Sequence, residues 1–297
     1  MKGRSLLIVS ILLASYCINI AAPNSSSLIL DDPETYSVQP GDPLENSSSL
    51  DWGNVTYSSA IDTSQSVVGF GTTVDEGGNY YVVGKHHTSF SVDGYYVNKT
   101  TSSGSDVFLL KFYSNGTLAW GTGGSTNGNC WGAGVALGPN GTVYISGLVD
   151  GNTISFGDKS VSGVGMFVAK FSSIGEPIWA EFGDTGCSSC GGLDIVVDST
   201  GNAYISGMNS FDEGFLAKID PSGSWIGGNT LTPEGFGGTG QDSITGLTID
   251  DNGSIYAAMT NFSTGSGSVV TVMKFNSSNL LTPIWSKNLA SGDHTVT

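Results

Sequence analysis

The stretch Val197–Gly207 reads VDSTGNAYISG. Apolar residues flank a Gly-Asn pair, and a Tyr follows in a second β-prone run. That is the pattern of two strands joined by a tight turn. It recurs as VDEGGNYYVVG from Val74, ALGPNGTVYISG from Ala136 and IDDNGSIYAAM from Ile249. A hairpin written four times marks a repeat architecture, in which each copy is one supersecondary unit.

Working outward, each hairpin is followed by a strand with a Lys near its end: FLLKF at Phe108, FVAKF at Phe167, FLAKI at Phe215 and TVMKF at Thr271. A polar turn and a Trp come next, at Trp120, Trp179, Trp225 and Trp285. Each repeat therefore offers four strands, here called A (ending in VD), B (carrying the Tyr), C (carrying the Lys) and D (carrying the Trp). In strand C of the first repeat, Phe108, Leu110 and Phe112 fall on one face, and Leu109 and Lys111 on the other. Both faces are largely apolar, as in a sheet sandwiched between neighbours. The expected fold is all-β: a β-propeller of four-stranded antiparallel blades, with four complete repeats at about 66–120, 130–179, 190–225 and 242–285. The lysines Lys111, Lys170, Lys218 and Lys274 are expected to pair with an acid or run to a sheet edge rather than face a ligand.

The repeat signature Asp75, Gly78, Asn79, Tyr81; Gly141, Tyr144; Asp198, Gly201, Asn202, Tyr204; Asp250, Gly253, Tyr256, with D-x-F-x-x-K-F at Asp106 and a downstream Trp, resembles the SBBP family of bacterial and archaeal β-propeller repeats. The resemblance runs from about Trp52 to the end. It departs at Gly138, which replaces the Asp, and in the fourth repeat, which lacks the aromatic before its Lys and the closing Gly. It implies an extracellular propeller and carries no catalytic residues to transfer.

Composition agrees with this class. Gly is abundant (44 residues), charged residues are 12%, and the net charge is −16. A chain this acidic excludes nucleic acid as the expected partner, since phosphate binding needs a basic face. An anionic membrane surface is disfavoured for the same reason. Residues 1–22 combine Lys2 and Arg4 with an apolar run and a small-residue end, the pattern of a secretory signal cleaved near Ala22. No membrane insertion is expected after cleavage, and the localisation read from the sequence is secreted or cell-surface. Residues 23–49, rich in Ser, Pro and acids, read as a flexible lead-in to the repeats at 50–297. Leu50-Asp51-Trp52 looks like a strand D, and SGDHTVT at the end like the approach to another strand A. This reads as part of a longer repeat protein or a truncated one.

The A–B and C–D turns are short, whereas the B–C segments (residues 85–105 and 148–164) and D–A segments (residues 121–129 and 226–243) are long and variable. All the long ones fall on one face, where binding sites are usually built. The channel-mouth positions Trp131, Asp194 and Asp242 are the binding candidates there, although packing is the expected role of Trp131. The Asp of each A–B turn is expected to close the turn with its side chain. It brings too few acids for a calcium loop, so no metal and no cofactor are expected. With Cys17 in the leader, Cys130, Cys187 and Cys190 remain as candidates for a structural disulfide, Cys130 and Cys190 at equivalent positions in successive repeats. His86-His87 and His294 lack companion ligands. Sequons at Asn24, Asn46, Asn54, Asn98, Asn115, Asn140, Asn252, Asn261 and Asn276 make glycosylation possible in a suitable host.

The leading functional expectation is a non-catalytic binding or adhesion module for an extracellular polysaccharide, glycoprotein or cell surface. The alternatives are a carbohydrate-active propeller hydrolase or lyase, and a structural spacer in a larger surface protein.

Overall fold

The four hairpins of the sequence become four antiparallel sheets. The structure is a computed structural model, and it describes residues 67–100, 104–151, 153–183, 191–208, 213–226, 242–263, 267–280 and 282–289. All of them belong to one compact module, Tyr57–Thr297. The leader and lead-in expected at 1–49 lie outside the described residues.

Repeat 1 contains β1 (Val67–Val74), β2 (Tyr80–His86), β3 (Phe90–Val92), β4 (Tyr95–Val97), β5 (Asp106–Phe112) and β6 (Leu118–Thr126). Repeat 2 contains β7 (Cys130–Leu137), β8 (Val143–Val149), β9 (Thr153–Phe156), β10 (Lys159–Ser162), β11 (Gly165–Phe171) and β12 (Pro177–Gly183). Repeat 3 contains β13 (Gly192–Val197), β14 (Ala203–Met208), β15 (Gly214–Ile219) and the short β16 (Trp225–Ile226). Repeat 4 contains β17 (Ser243–Ile249), β18 (Ser254–Ser263), β19 (Gly267–Asn276) and β20 (Trp285–Leu289). Strands A to D pair in that order in every repeat, each antiparallel to the next. Each strand A carries a one-residue bulge at the same place, passing over Phe70, Ala133, Leu193 and Thr245.

Two features go beyond four strands per repeat. The B–C segments of repeats 1 and 2 each fold into an extra hairpin, β3–β4 and β9–β10. The second hairpin also leaves its own sheet: β9 pairs with β6 of the preceding repeat through Ser125↔Ser155 and Thr126↔Ile154, so the first sheet has six strands.

The core is divided among the junctions. Tyr81, Val83, Val107 and Leu109 of repeat 1 pack with Val143, Ile145, Phe167 and Phe171 of repeat 2. Tyr144, Met166 and Val168 of repeat 2 pack with Ile195, Ile205, Phe215 and Ile219 of repeat 3. Tyr204 and Leu216 of repeat 3 pack with Ile244, Ile255, Met273 and Phe275 of repeat 4. A sheet whose two faces are both apolar needs a neighbour on each side, and these junctions supply it.

The turn residues explain themselves. Asp75 Oδ1 accepts the N–H groups of Gly77 and Asn79, both at 2.9 Å, and Asp198 and Asp250 repeat the arrangement with Thr200 and Asn202, and with Asn252 and Ser254. The second oxygen receives the Tyr hydroxyl of strand B: Tyr81 at 3.3 Å, Tyr204 at 3.0 Å and Tyr256 at 3.0 Å. Gly78, Gly201 and Gly253 supply the positive φ that the turn requires. Where Gly138 replaces the Asp, the Tyr144 hydroxyl donates instead to the Gly201 carbonyl of the next repeat, at 2.9 Å. The four lysines lie over these same rings, with Nζ 4.9 Å from Tyr81, 5.0 Å from Tyr144, 5.1 Å from Tyr204 and 4.9 Å from Tyr256. Their role is within the sheets and junctions, as the recurrence of the Lys in every repeat predicts.

Candidate functional site

The described residues form a cleft of about 340 Å³ at the long-loop end of repeats 1 and 2, where strands B and D end and strand C begins. Its local cause is the β3–β4 hairpin. Asp93 and Gly94 both take positive φ, 50° and 81°, the conformation that an Asp-Gly pair favours in a two-residue hairpin. The turn places Tyr95 and Tyr96 on opposite faces of β4. Tyr95, 41% exposed, lies against β6, and its hydroxyl donates to the Gly121 carbonyl. A Cβ on Gly121 would stand 2.6 Å from the Tyr95 ring, so only glycine lets the hairpin settle there. Asp93 Oδ2 accepts the Leu118 N–H at 2.7 Å and fixes the hairpin to the start of β6. Tyr96 turns outward and is 69% exposed.

The floor is built from His86 and Asp106, opposed in register at the ends of β2 and β5 and both buried. Asp106 is saturated with donors. Lys99 Nζ lies 3.0 Å from Oδ1, and the Thr100 N–H and hydroxyl each lie 2.9 Å from Oδ2. His86 Nδ1 lies 2.9 Å from the Thr88 carbonyl, so Nδ1 carries the proton and Nε2 is left as an acceptor. Burial pulls the imidazole pKa below its ordinary value, against the opposing pull of the Thr88 carbonyl and Asp106. The floor is therefore a neutral imidazole beside a neutralised ion pair. The walls add Asn98, Thr122, Ser125 and, from repeat 2, Ser155.

Of the residues singled out in the sequence, His86, Asn98 and Asp106 line this cleft, whereas Trp131, Asp194, Asp242 and Cys130 are not among its lining residues. Trp131 lies half-buried on β7, with Lys85 Nζ 5.5 Å from its ring and 5.8 Å from that of Phe70. Asp194 occupies the strand-A position held by Gly71, Gly134 and Gly246 elsewhere, directly after the bulge. Its Oδ2 accepts the Leu247 N–H of repeat 4 at 2.7 Å, and its Oδ1 accepts the Ile195 N–H at 2.8 Å. Desolvation pushes its pKa up to about 6 against those two hydrogen bonds. Asp242 is fully buried and is engaged with its surroundings. Cys130 is a free, buried thiol, its Sγ 3.3 Å from the Ser105 carbonyl, and burial raises its pKa strongly. Cys187, Cys190 and His294 lie outside the described residues. His87 Nδ1 lies 3.1 Å from the Gly104 carbonyl and does not converge with His86.

Sequence reasoning missed Tyr95, Tyr96, Lys99 and Asp106 as a group. The V-D-G-Y-Y-V pattern at Val92–Val97 was the available signal for the hairpin. The partnership of Asp106 with Lys99 depends on how the B–C segment folds back.

No family model matches the chain, and no curated protein matches it. Several solved structures are similar. A protein of unknown function from Bacteroides caccae aligns at 11% identity and a TM-score of 0.45, over 76% of this chain. The chain spans 61% of that protein's length. An unknown-function protein from Dyadobacter fermentans aligns at 10% identity and a TM-score of 0.44, over 74% of this chain and 68% of that one. An α-L-arabinofuranosidase from Clostridium thermocellum aligns at 14% identity and a TM-score of 0.39, over 75% and 72%. Among the described residues, no helix is long and apolar enough to cross a membrane, and no cluster of three or more His, Cys, Asp or Glu is placed to hold a metal.

Proposed function

We propose that the four sheets are blades of a secreted β-propeller of the SBBP type. In this reading the protein is a non-catalytic binding module that holds an extracellular polysaccharide, or the glycan of a glycoprotein or cell surface, in the cleft between repeats 1 and 2. The observation that carries the reading is Tyr96. It holds a large aromatic ring out to solvent at the rim of a cavity lined by Asn98, Thr100, Ser125 and Ser155. An apolar ring face beside a set of convergent hydrogen-bonding groups suits a sugar, which has apolar C–H faces and a rim of hydroxyls. His86 Nε2 adds an acceptor at the floor. The hydrolase alternative gains no support from this cleft. Glycoside hydrolysis needs two carboxyl groups free to act, whereas Asp106 is the one carboxylate in the described lining and is held by Lys99 and Thr100.

Binding of soluble neutral and acidic oligosaccharides, screened on an array and quantified by calorimetry, tests this. Tyr96→Ala should weaken the best ligand about tenfold or more and leave the far-ultraviolet spectrum unchanged. Absence of any glycan ligand, or equal affinity in the variant, would overturn the reading.

A further inference from the structure

The charge and the shape of the cleft between repeats 1 and 2 narrow what can occupy it. Asp106 is the one charged side chain in the described lining, and its counter-charge is built in. Lys99 Nζ stands 3.0 Å away, and the two side chains are 8% and 2% exposed. Thr100 takes up the other carboxylate oxygen through its N–H and its hydroxyl. Neither ion is left over for a ligand. The neighbouring charges, Asp158 and Lys159 at the β9–β10 turn, pair with each other at 2.8 Å. A uronate or a sulfated sugar would meet no unpaired cation in the described lining, and it would approach a chain of net charge −16. An uncharged ligand meets neither cost.

At Ser155 the cleft wall continues onto an open sheet face. Ser125 of β6, Ser155 of β9 and Ser160 of β10 are register partners in line across three strands, so their side chains share one face. The Oγ atoms of Ser155 and Ser160 lie 2.7 Å apart, and beside them Thr153 Oγ1 and Ser162 Oγ lie 3.3 Å apart. The alternate residues Ile154 and Phe156 turn the other way into the core, at 0% and 1% exposed. The outward face is thus hydroxyl after hydroxyl, with Ser160 and Ser162 open to solvent on β10, the last strand of its sheet. Within each pair one O–H is spent on its neighbour, which leaves the second O–H to donate and lone pairs to accept. A sugar hydroxyl uses both. From β6 to β10 the row covers two strand spacings, about 10 Å, which is more than a single sugar ring spans.

We infer, on the basis of the glycan reading above, that the cleft takes an uncharged polysaccharide several units long. One end of the bound stretch lies against Tyr96, and the chain runs over Ser155 and Ser160 to the β10 edge.

Calorimetric titration with gluco-, manno-, xylo- and galacto-oligosaccharides, each from disaccharide to hexasaccharide, tests this, with oligogalacturonates as the acidic series. The best-bound neutral series should gain about tenfold or more in affinity from disaccharide to hexasaccharide. Oligogalacturonates should bind at least about tenfold more weakly at equal length, and added salt should leave the neutral affinities unchanged. Ser160→Ala combined with Ser162→Ala, both at exposed positions, should remove the gain with length. The same double variant should keep the parent's disaccharide affinity and melting temperature. Tyr96→Ala should instead weaken every length. A disaccharide bound as tightly as the hexasaccharide, or a double variant that keeps the gain, overturns this inference while the glycan reading stands. So does a preference for the oligogalacturonates. If no series binds, the two fall together.

Discussion

Lys170 and Trp179, on neighbouring strands of repeat 2, donate to the same oxygen, the Pro221 carbonyl of repeat 3, each at 3.0 Å. Lys170 also lies over the Tyr144 ring, and Tyr144 in turn donates to Gly201 of the same neighbour. One repeat thus grips the next through three side chains converging on two turns. Lys170→Met should cost about 1–2 kcal/mol and Trp179→Phe about 1 kcal/mol in urea unfolding. Because the two donors share an acceptor, the double variant should lose less than the sum of the single losses.

The turn carboxylate of Asp198 predicts acid sensitivity. Partial burial raises its pKa, but hydrogen bonds from Thr200 and Asn202, and then from Tyr204, outweigh this and hold it at about 2. A folded pKa below the unfolded one means that its stabilisation is present above about pH 4 and is lost as pH falls towards 2. Asp198→Asn should be less stable than the parent at pH 7, and the difference should shrink in melts below pH 4.

Asp194 has the opposite sign. Its folded pKa, raised to about 6 by desolvation, means that the protonated form is the favoured one in the fold. Its contribution is complete below about pH 4 and declines as pH rises through 6. Asp194→Asn keeps an acceptor for the Leu247 N–H without the charge. Melting temperatures taken from pH 4 to pH 8 should fall less steeply with pH in the variant than in the parent.

Close approach between successive strands A gives a packing prediction. A Cβ on Gly71 would stand 2.5 Å from the Ala133 carbonyl oxygen, which is backbone and cannot swing aside. Gly71→Ala should destabilise the first junction by about 1–3 kcal/mol, read as a lower urea midpoint.

The repeated strands were legible because local chemistry specifies them. Alternating apolar residues in FLLKF, the Asp that closes a turn on its own backbone, and a Tyr spaced to reach that Asp need nothing from outside the repeat. The same holds for the lysines, whose partner ring sits on the adjacent strand. The cleft was not legible, although the Asp-Gly turn of its hairpin was. Tyr95 can settle on β6 only because Gly121 leaves room, and Asp106 is neutralised by a loop that returns to it. Both are non-local matches that periodicity does not carry. Asp194 was noticed as a channel-mouth acid, but its bond to Leu247 follows from the close approach of strands in different repeats. The cross-pairing of β9 with β6 was invisible for the same reason.

That cross-pairing has a mechanical consequence. Where sheets meet only through side chains, they can slide or rock against one another at the cost of repacking. Between repeats 1 and 2, Ser125↔Ser155 and Thr126↔Ile154 tie the two by backbone as well. Tension applied between these repeats would load the strand pair together with the side-chain core, so this seam should part later than one resting on side chains alone. The cleft straddles the same seam, so any molecule held in it would pull on the stitched part of the structure.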